Sequence, residues 1–231
     1  MADTMIETLL KDRQYLVRER WYPRPVDNYK SALKIDMRIT HSEALRSNMA
    51  YSLQYLEFLE LEFKELKPSS VISTMLIKTY VITGMSIIEG LFTNIIKSHG
   101  WWKKTNLESI GSIQASEKKF GEEKYIIKTE LFKKIPEKDV RMDLDALIKI
   151  LDRHREALNV DHLVYPELKR LKKLRNRVHI QMNDSDTDHD YNAFDEHTKK
   201  EMGSILYRIL TSNMITDAPN IFEFLRVNID S

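Results

Sequence analysis

Apolar positions recur at helical spacing through most of this chain. Over residues 42–67, behind Ser42 as an N-cap, Leu53, Leu56, Leu59, Leu61 and Phe63 build an inward face. The alternation within LEFLELEF imitates a strand, but the length and the Leu, Glu and Lys content predict a helix. Pro68-Ser69-Ser70 breaks the chain, and 70–98 is apolar on nearly every side, with Ile77, Tyr80, Val81, Ile87, Ile88, Leu91 and Phe92. Such a segment is predicted at the centre of a bundle. Residues 143–158 place Leu144, Leu147, Ile148 and Leu151 on one face behind Asp143. In 166–181 the stripe is Leu168, Leu171, Leu174 and Val178, and in 195–214 it includes Met202, Ile205, Leu206, Ile209 and Leu210 behind Asp195. Five periodic segments predict an all-α helical bundle.

Residues 4–20 add an amphipathic helix with Ile6, Leu9, Leu10 and Leu16, stopped by Tyr22-Pro23-Arg24-Pro25. Residues 28–40 are ambiguous, and Lys34–Thr40 fits a short helix or an extended connector. The expected organisation is therefore a helical arm and connector over 1–41 and the bundle over 42–231. An insertion near 101–141 carries Trp101, Trp102, many lysines, Gly111 and Gly121. Its KYIIKTELFKK run fits a short helix or a strand, so at most a short hairpin is expected there. An insertion of this size suits substrate or partner contacts. The acidic stretch Asn183–Asp190 lacks the glycine and closing glutamate of a calcium-binding EF-hand loop, and reads as a solvated loop. Residues 220–227 suggest a short terminal helix.

Charge changes this picture little as a whole and much in one place. The chain of 231 residues has 36 Lys and Arg against 35 Asp and Glu, a net charge of +1. Any nucleic-acid binding must then come from a local patch. The absence of cysteine excludes disulfides and cysteine-based zinc sites. No Gly-rich phosphate loop, HExxH helix or nucleophile elbow occurs, so no cofactor or metal is expected. The start, MADTMIETLLKDR, has no secretory apolar core, and Lys78 and Glu89 argue against a membrane span over 71–96. The expectation is a soluble, cytoplasmic protein with no membrane partner.

The local patch is PELKRLKKLRNRVHIQ, residues 166–181. Lys169, Arg170, Lys172, Lys173, Arg175 and Arg177 are denser than a solvated face requires and would attract an anion such as RNA. At about 100° per residue, Arg175 and His179 fall one turn apart on the margin of the apolar stripe, with Lys172. Arg170, Lys173 and Arg177 point outward, and Asn176 lies just beyond His179. A guanidinium, an amide and an imidazole at a half-buried edge can hold a phosphate and move a proton. The plainer alternative is a solvated basic face with a packed or capping histidine. His154, His162 and His189 have no partner at metal-ligand spacing and suit surface or capping roles.

The run Arg175-Asn176-Arg177-Val178-His179, late in a helical chain, resembles the signature of the HEPN superfamily. Its members carry an arginine, commonly a polar residue after it, and a histidine on the same helix. The family's usual interval between Arg and His is four to six residues; here it is three. The run Met85–Leu91 resembles the family's second core helix, which often carries an acid, here Glu89. The resemblance implies a metal-independent endoribonuclease in which the RNA 2′-hydroxyl attacks the adjacent phosphate. His179 would be the acid or base, Arg175 the phosphate clamp and Asn176 a positioning group. Glu89 would pair with Arg175 or orient His179. Lys172, Lys173 and Arg177 are the expected RNA phosphate contacts. It further implies a homodimer whose active helices meet across a two-fold, and an antitoxin or anti-phage defence partner. The alternative is a non-catalytic helical module binding RNA, a nucleotide or a protein through 166–181.

Overall fold

The computed structural model describes residues 22–178 and 189–227. The chain divides into two compact units. Of the described residues, one unit joins those up to Gly100 with those from Leu144 onward; the other is Trp101–Asp143. The first unit is a helical bundle of α1 (Val26–Ala32), α2 (Ser42–Glu65), α3 (Ser70–Ser98), α4 (Leu144–Arg153), α5 (Val164–Arg175), α6 (Asp190–Ala193) and α7 (Glu196–Leu210). Single 3-10 turns follow α4 and α5, and a longer 3-10 segment spans Pro219–Leu225. The predicted helix over 4–20 lies outside the described residues.

α3 is the axis of the bundle and packs against α2, α4, α5, α6 and α7. Its buried residues, among them Ile77, Tyr80, Met85, Ile88, Leu91 and Phe92, are spread around the cylinder because neighbours approach from several sides. Gly84 marks a close approach: a Cβ there would lie 2.9 Å from Leu206 Cδ1 and 3.1 Å from Met202 Cε on α7. By length and composition α3 is the one described helix able to cross a membrane. Its apolar face is instead largely covered by its own chain, apart from Val71, Ile72 and Met75 near its start.

α2 buries Leu53, Leu56 and Leu59 and also two acids, each neutralised. Glu57 accepts from the Tyr29 hydroxyl and from Arg24, and Glu60 accepts from Lys199 Nζ at 2.9 Å, with the Phe63 ring 4.5 Å below that ammonium. Ser42 is the first helical residue rather than the cap, which is His41 at φ 67°. The buried Ser42 hydroxyl accepts from Asn94 Nδ2 at 3.1 Å, and Asn94 Oδ1 accepts from the Asp36 amide at 2.9 Å. The ambiguous 28–40 stretch thus becomes the end of α1 and a connector tied to α3. Asp195 caps α7 as expected, accepting from the Thr198 amide at 2.8 Å.

The all-α expectation is overturned by the second unit, and the protein is mixed α and β. β1 (Lys104–Gln114) pairs antiparallel with β4 (Lys128–Asp139), and β2 (Lys118–Phe120) with β3 (Glu123–Tyr125). The two ladders lie end to end in one long hairpin, far more than the short one expected. Two features drive it. Thr105, Ile110, Ile113, Thr129, Phe132 and Ile135 set β-branched and aromatic residues among the lysines and glutamates. Gly121, at φ 64°, opens a two-residue turn between Phe120 and Glu123, as the first position of a type II′ turn requires. At the hairpin base the Val140 amide donates to Lys103 O at 2.9 Å, and Trp102 Nε1 donates to Val140 O at 3.1 Å.

Candidate phosphate-binding site on α5

α5 begins at Val164, two residues before Pro166, and its stripe of Val164, Tyr165, Leu168 and Leu171 is fully buried. The single helix expected over 166–181 is not observed. The α-helix ends at Arg175, and Asn176–Val178 forms a 3-10 turn. That turn is tighter, with about three residues per turn, so the direction of Arg177 departs from an α-helical projection. His179 lies outside the described residues, as does the Asn183–Asp188 part of the acidic loop.

Arg175 is half-buried at the bundle margin, and its Nη2 donates to Glu89 Oε2 on α3 at 2.8 Å. The carboxylate accepts one of the five guanidinium N–H groups and fixes the plane of the rest. Glu89 and Lys78 lie three turns apart on one ridge of α3. Lys78 is 7% exposed; its Nζ donates to Asp190 Oδ2 at 2.8 Å and lies 5.7 Å from the centre of the Phe194 ring. The other Asp190 oxygen lies 3.8 Å from Arg177 Nη1. Arg177 therefore turns inward onto this pair, not outward as the helical projection has it. Asn176 is exposed.

The remaining cations of the patch are also engaged. Lys172 Nζ meets Asp145 of α4 at 2.9 Å, Lys169 meets Asp152 of α4 at 3.2 Å, and Arg170 Nε donates to Glu201 of α7 at 2.9 Å. Hydrogen bonds from Lys149 and Lys172 hold the Asp145 carboxyl down at about 2. Only Lys173 of the six is exposed with no acidic partner among the described residues. The dense positive patch is thus largely balanced by acids of α3, α4, α6 and α7.

Two places that sequence reasoning passed over complete the inventory. A cavity of about 680 Å³ lies along α7, lined by Glu167, His197, Lys200, Ser204, Tyr207 and Arg226 among others. Its signal in the sequence was the 197, 200, 204, 207 ridge of one helix. The Lys78–Asp190 pair had no local signal, because its members are separated by more than a hundred residues. Among the described residues no group of three His, Cys, Asp or Glu side chains is placed to hold a metal ion. Compared with known proteins, the chain matches no family model, no curated protein and no solved structure.

Proposed function

We propose that the protein is a cytoplasmic, metal-independent endoribonuclease of HEPN type, acting through Arg175, Asn176 and His179 with Glu89 as the orienting acid. The observation that carries this reading is the Arg175–Glu89 contact. The first residue of the HEPN-like run is held by the acid of the helix that resembles the family's second core helix. A guanidinium set by a carboxylate and left half-exposed presents its remaining N–H groups to a phosphate. In the reaction the 2′-hydroxyl loses its proton, its oxygen bonds to the adjacent phosphorus, and the 5′-oxygen leaves and gains a proton. An imidazole is suited to taking the first proton or giving the second, and His179 is assigned that role. Arg175 stabilises the charge that gathers on the phosphate oxygens.

The test is RNA cleavage by the purified chain in EDTA. The expected products carry 2′,3′-cyclic phosphate ends, and His179→Ala lowers the rate by about 10²–10⁴-fold. Equal cleavage with and without His179 overturns the assignment. A second reading, a non-catalytic binding module, is favoured by the balanced charges: five of the six cations of the patch already face acids of the same chain. RNA binding without cleavage, weakened by Arg175→Ala, would support it.

A further inference from the structure

The charge of this chain is not spread evenly. Residues 101–143 hold ten Lys and Arg against eight Asp and Glu, and the whole chain holds 36 against 35. The small positive balance therefore lies in the ribbon, and the rest of the chain is slightly acidic. Within the ribbon Lys104, Lys124 and Lys138 pair with Glu137, Glu117 and Glu108 at 3.1, 2.8 and 3.0 Å. Lys128, Lys133 and Lys134 of β4 are exposed and form no ion pair among the described residues. On α5 the reverse holds, since five of its six cations face acids.

The two faces of the ribbon differ. Side chains alternate along β4, and the register carries the alternation across to β1. One face presents Lys128, Glu130, Phe132 and Lys134, with Gln114, Ser112 and Ser109 opposite the first three. The other sets Ile113 against Thr129 and Lys133 against Glu108, and carries Leu131. Phe132 is 51% exposed. It stands between two lysines that are about 20 Å apart along the strand, at ~3.4 Å per residue. A flat two-stranded face has no walls to enclose an apolar side chain of a protein partner. A nucleic-acid base needs only one flat partner, and an exposed ring supplies it. Lysines on either side meet the phosphates that flank such a base. A duplex hides its base faces by stacking them, so the arrangement fits a single strand.

We propose that this face of the ribbon binds single-stranded RNA. Phe132 stacks on a base, Lys128 and Lys134 hold phosphates, and Gln114, Ser112 and Ser109 offer hydrogen bonds to base edges. Glu130, the one acid in the row, weakens the attraction for phosphate. The choice of RNA over DNA rests on the ribonuclease reading. The stacking and charge arguments do not, and the site uses neither Arg175 nor His179.

The probe is a fluorescein-labelled oligouridine with 2′-O-methyl groups, which block attack by the 2′-oxygen, and the readout is anisotropy with the full chain. Phe132→Ala is expected to weaken binding at least about fivefold. Phe132→Tyr should keep it, which separates a stacking ring from a structural role. Lys128→Gln with Lys134→Gln should flatten the plot of log affinity against log salt by roughly 0.7 per lysine. Glu130→Gln should tighten binding, and Leu131→Ala on the opposite face should leave it unchanged. No binding by the full chain overturns the proposal, and so does a loss on Leu131→Ala equal to that on Phe132→Ala. Duplex RNA or a polyglutamate peptide bound with the same dependence on Phe132 overturns the single strand as the occupant. Binding of the probe through Phe132 by a chain that never cuts RNA removes the ribonuclease reading and leaves the ribbon as a binding site for the strand.

Discussion

Arg175 and Glu89 are each about one-third exposed, at 36% and 30%. A pair at that exposure contributes only about 0–1 kcal/mol to stability. Its value is geometric, so stability and activity should respond differently to its loss. Glu89→Gln is expected to leave the urea midpoint nearly unchanged and to lower RNA cleavage by about tenfold or more, since a misaimed donor no longer fits the phosphate. Equal cleavage by the variant would remove Glu89 from the site. Asp145 gives a prediction in pH. Its carboxyl is held at about 2 against an ordinary value of 3.8, by hydrogen bonds from Lys149 and Lys172. The folded state therefore favours the carboxylate. The contribution of this link between α4 and α5 is fully present above about pH 4 and is lost as pH falls toward 2. Carboxyl NMR should place the Asp145 midpoint near 2, and Lys172→Ala should raise it toward the ordinary value.

At the scale of elements, the contact between α3 and α7 is set by Gly84. A methyl group there meets Leu206 and Met202, both fully buried and walled in. Overpacking costs of about 1–3 kcal/mol exceed the ~1 kcal/mol that alanine gains over glycine in a helix. Gly84→Ala is expected to destabilise by about 1 kcal/mol in urea unfolding, and Gly84→Val by more. Gly90 is the control on the same helix: its Cβ would meet Leu45 Cδ1 at 3.1 Å, and Leu45 is partly exposed and able to move. Gly90→Ala should be neutral or mildly stabilising. The long helices were legible because their apolar periods run for several turns. The hairpin was not, for physical reasons. Its apolar residues lie on both faces, and the register shifts at Ile110 and around Pro136 interrupt the two-residue alternation that announces a strand. α1 was missed because seven residues are too few to show a period. Arg175 and Glu89 were matched only through the resemblance of their two runs to HEPN helices, which left a surface-exposed Glu89 equally open. The acids facing Lys169, Arg170, Lys172 and Arg177 could not be matched, because Asp152, Glu201, Asp145 and Asp190 come from three other elements.

For the whole molecule, the closed base of the hairpin separates its two units in a testable way. Lys104 and Asp139 are cross-strand partners. Replacing residues 105–138 by Asn-Gly between them leaves a two-residue hairpin turn in place of the ribbon. The shortened chain is expected to keep the bundle's cooperative unfolding and helical spectrum, read by circular dichroism in urea. Loss of the helical fold would show that the bundle needs the ribbon. The Asp190 carboxylate has a consequence of another kind. It receives Lys78 of α3 and faces Arg177, so the backbone on either side of 179–188 is held to the same helix. A protease cut or a designed break in that interval would therefore not release the downstream piece. That piece carries α6 and α7, and α7 remains packed on α3 through Met202 and Leu206. Two co-expressed fragments divided between Arg177 and Asp190 are therefore expected to assemble, and their co-purification would show it.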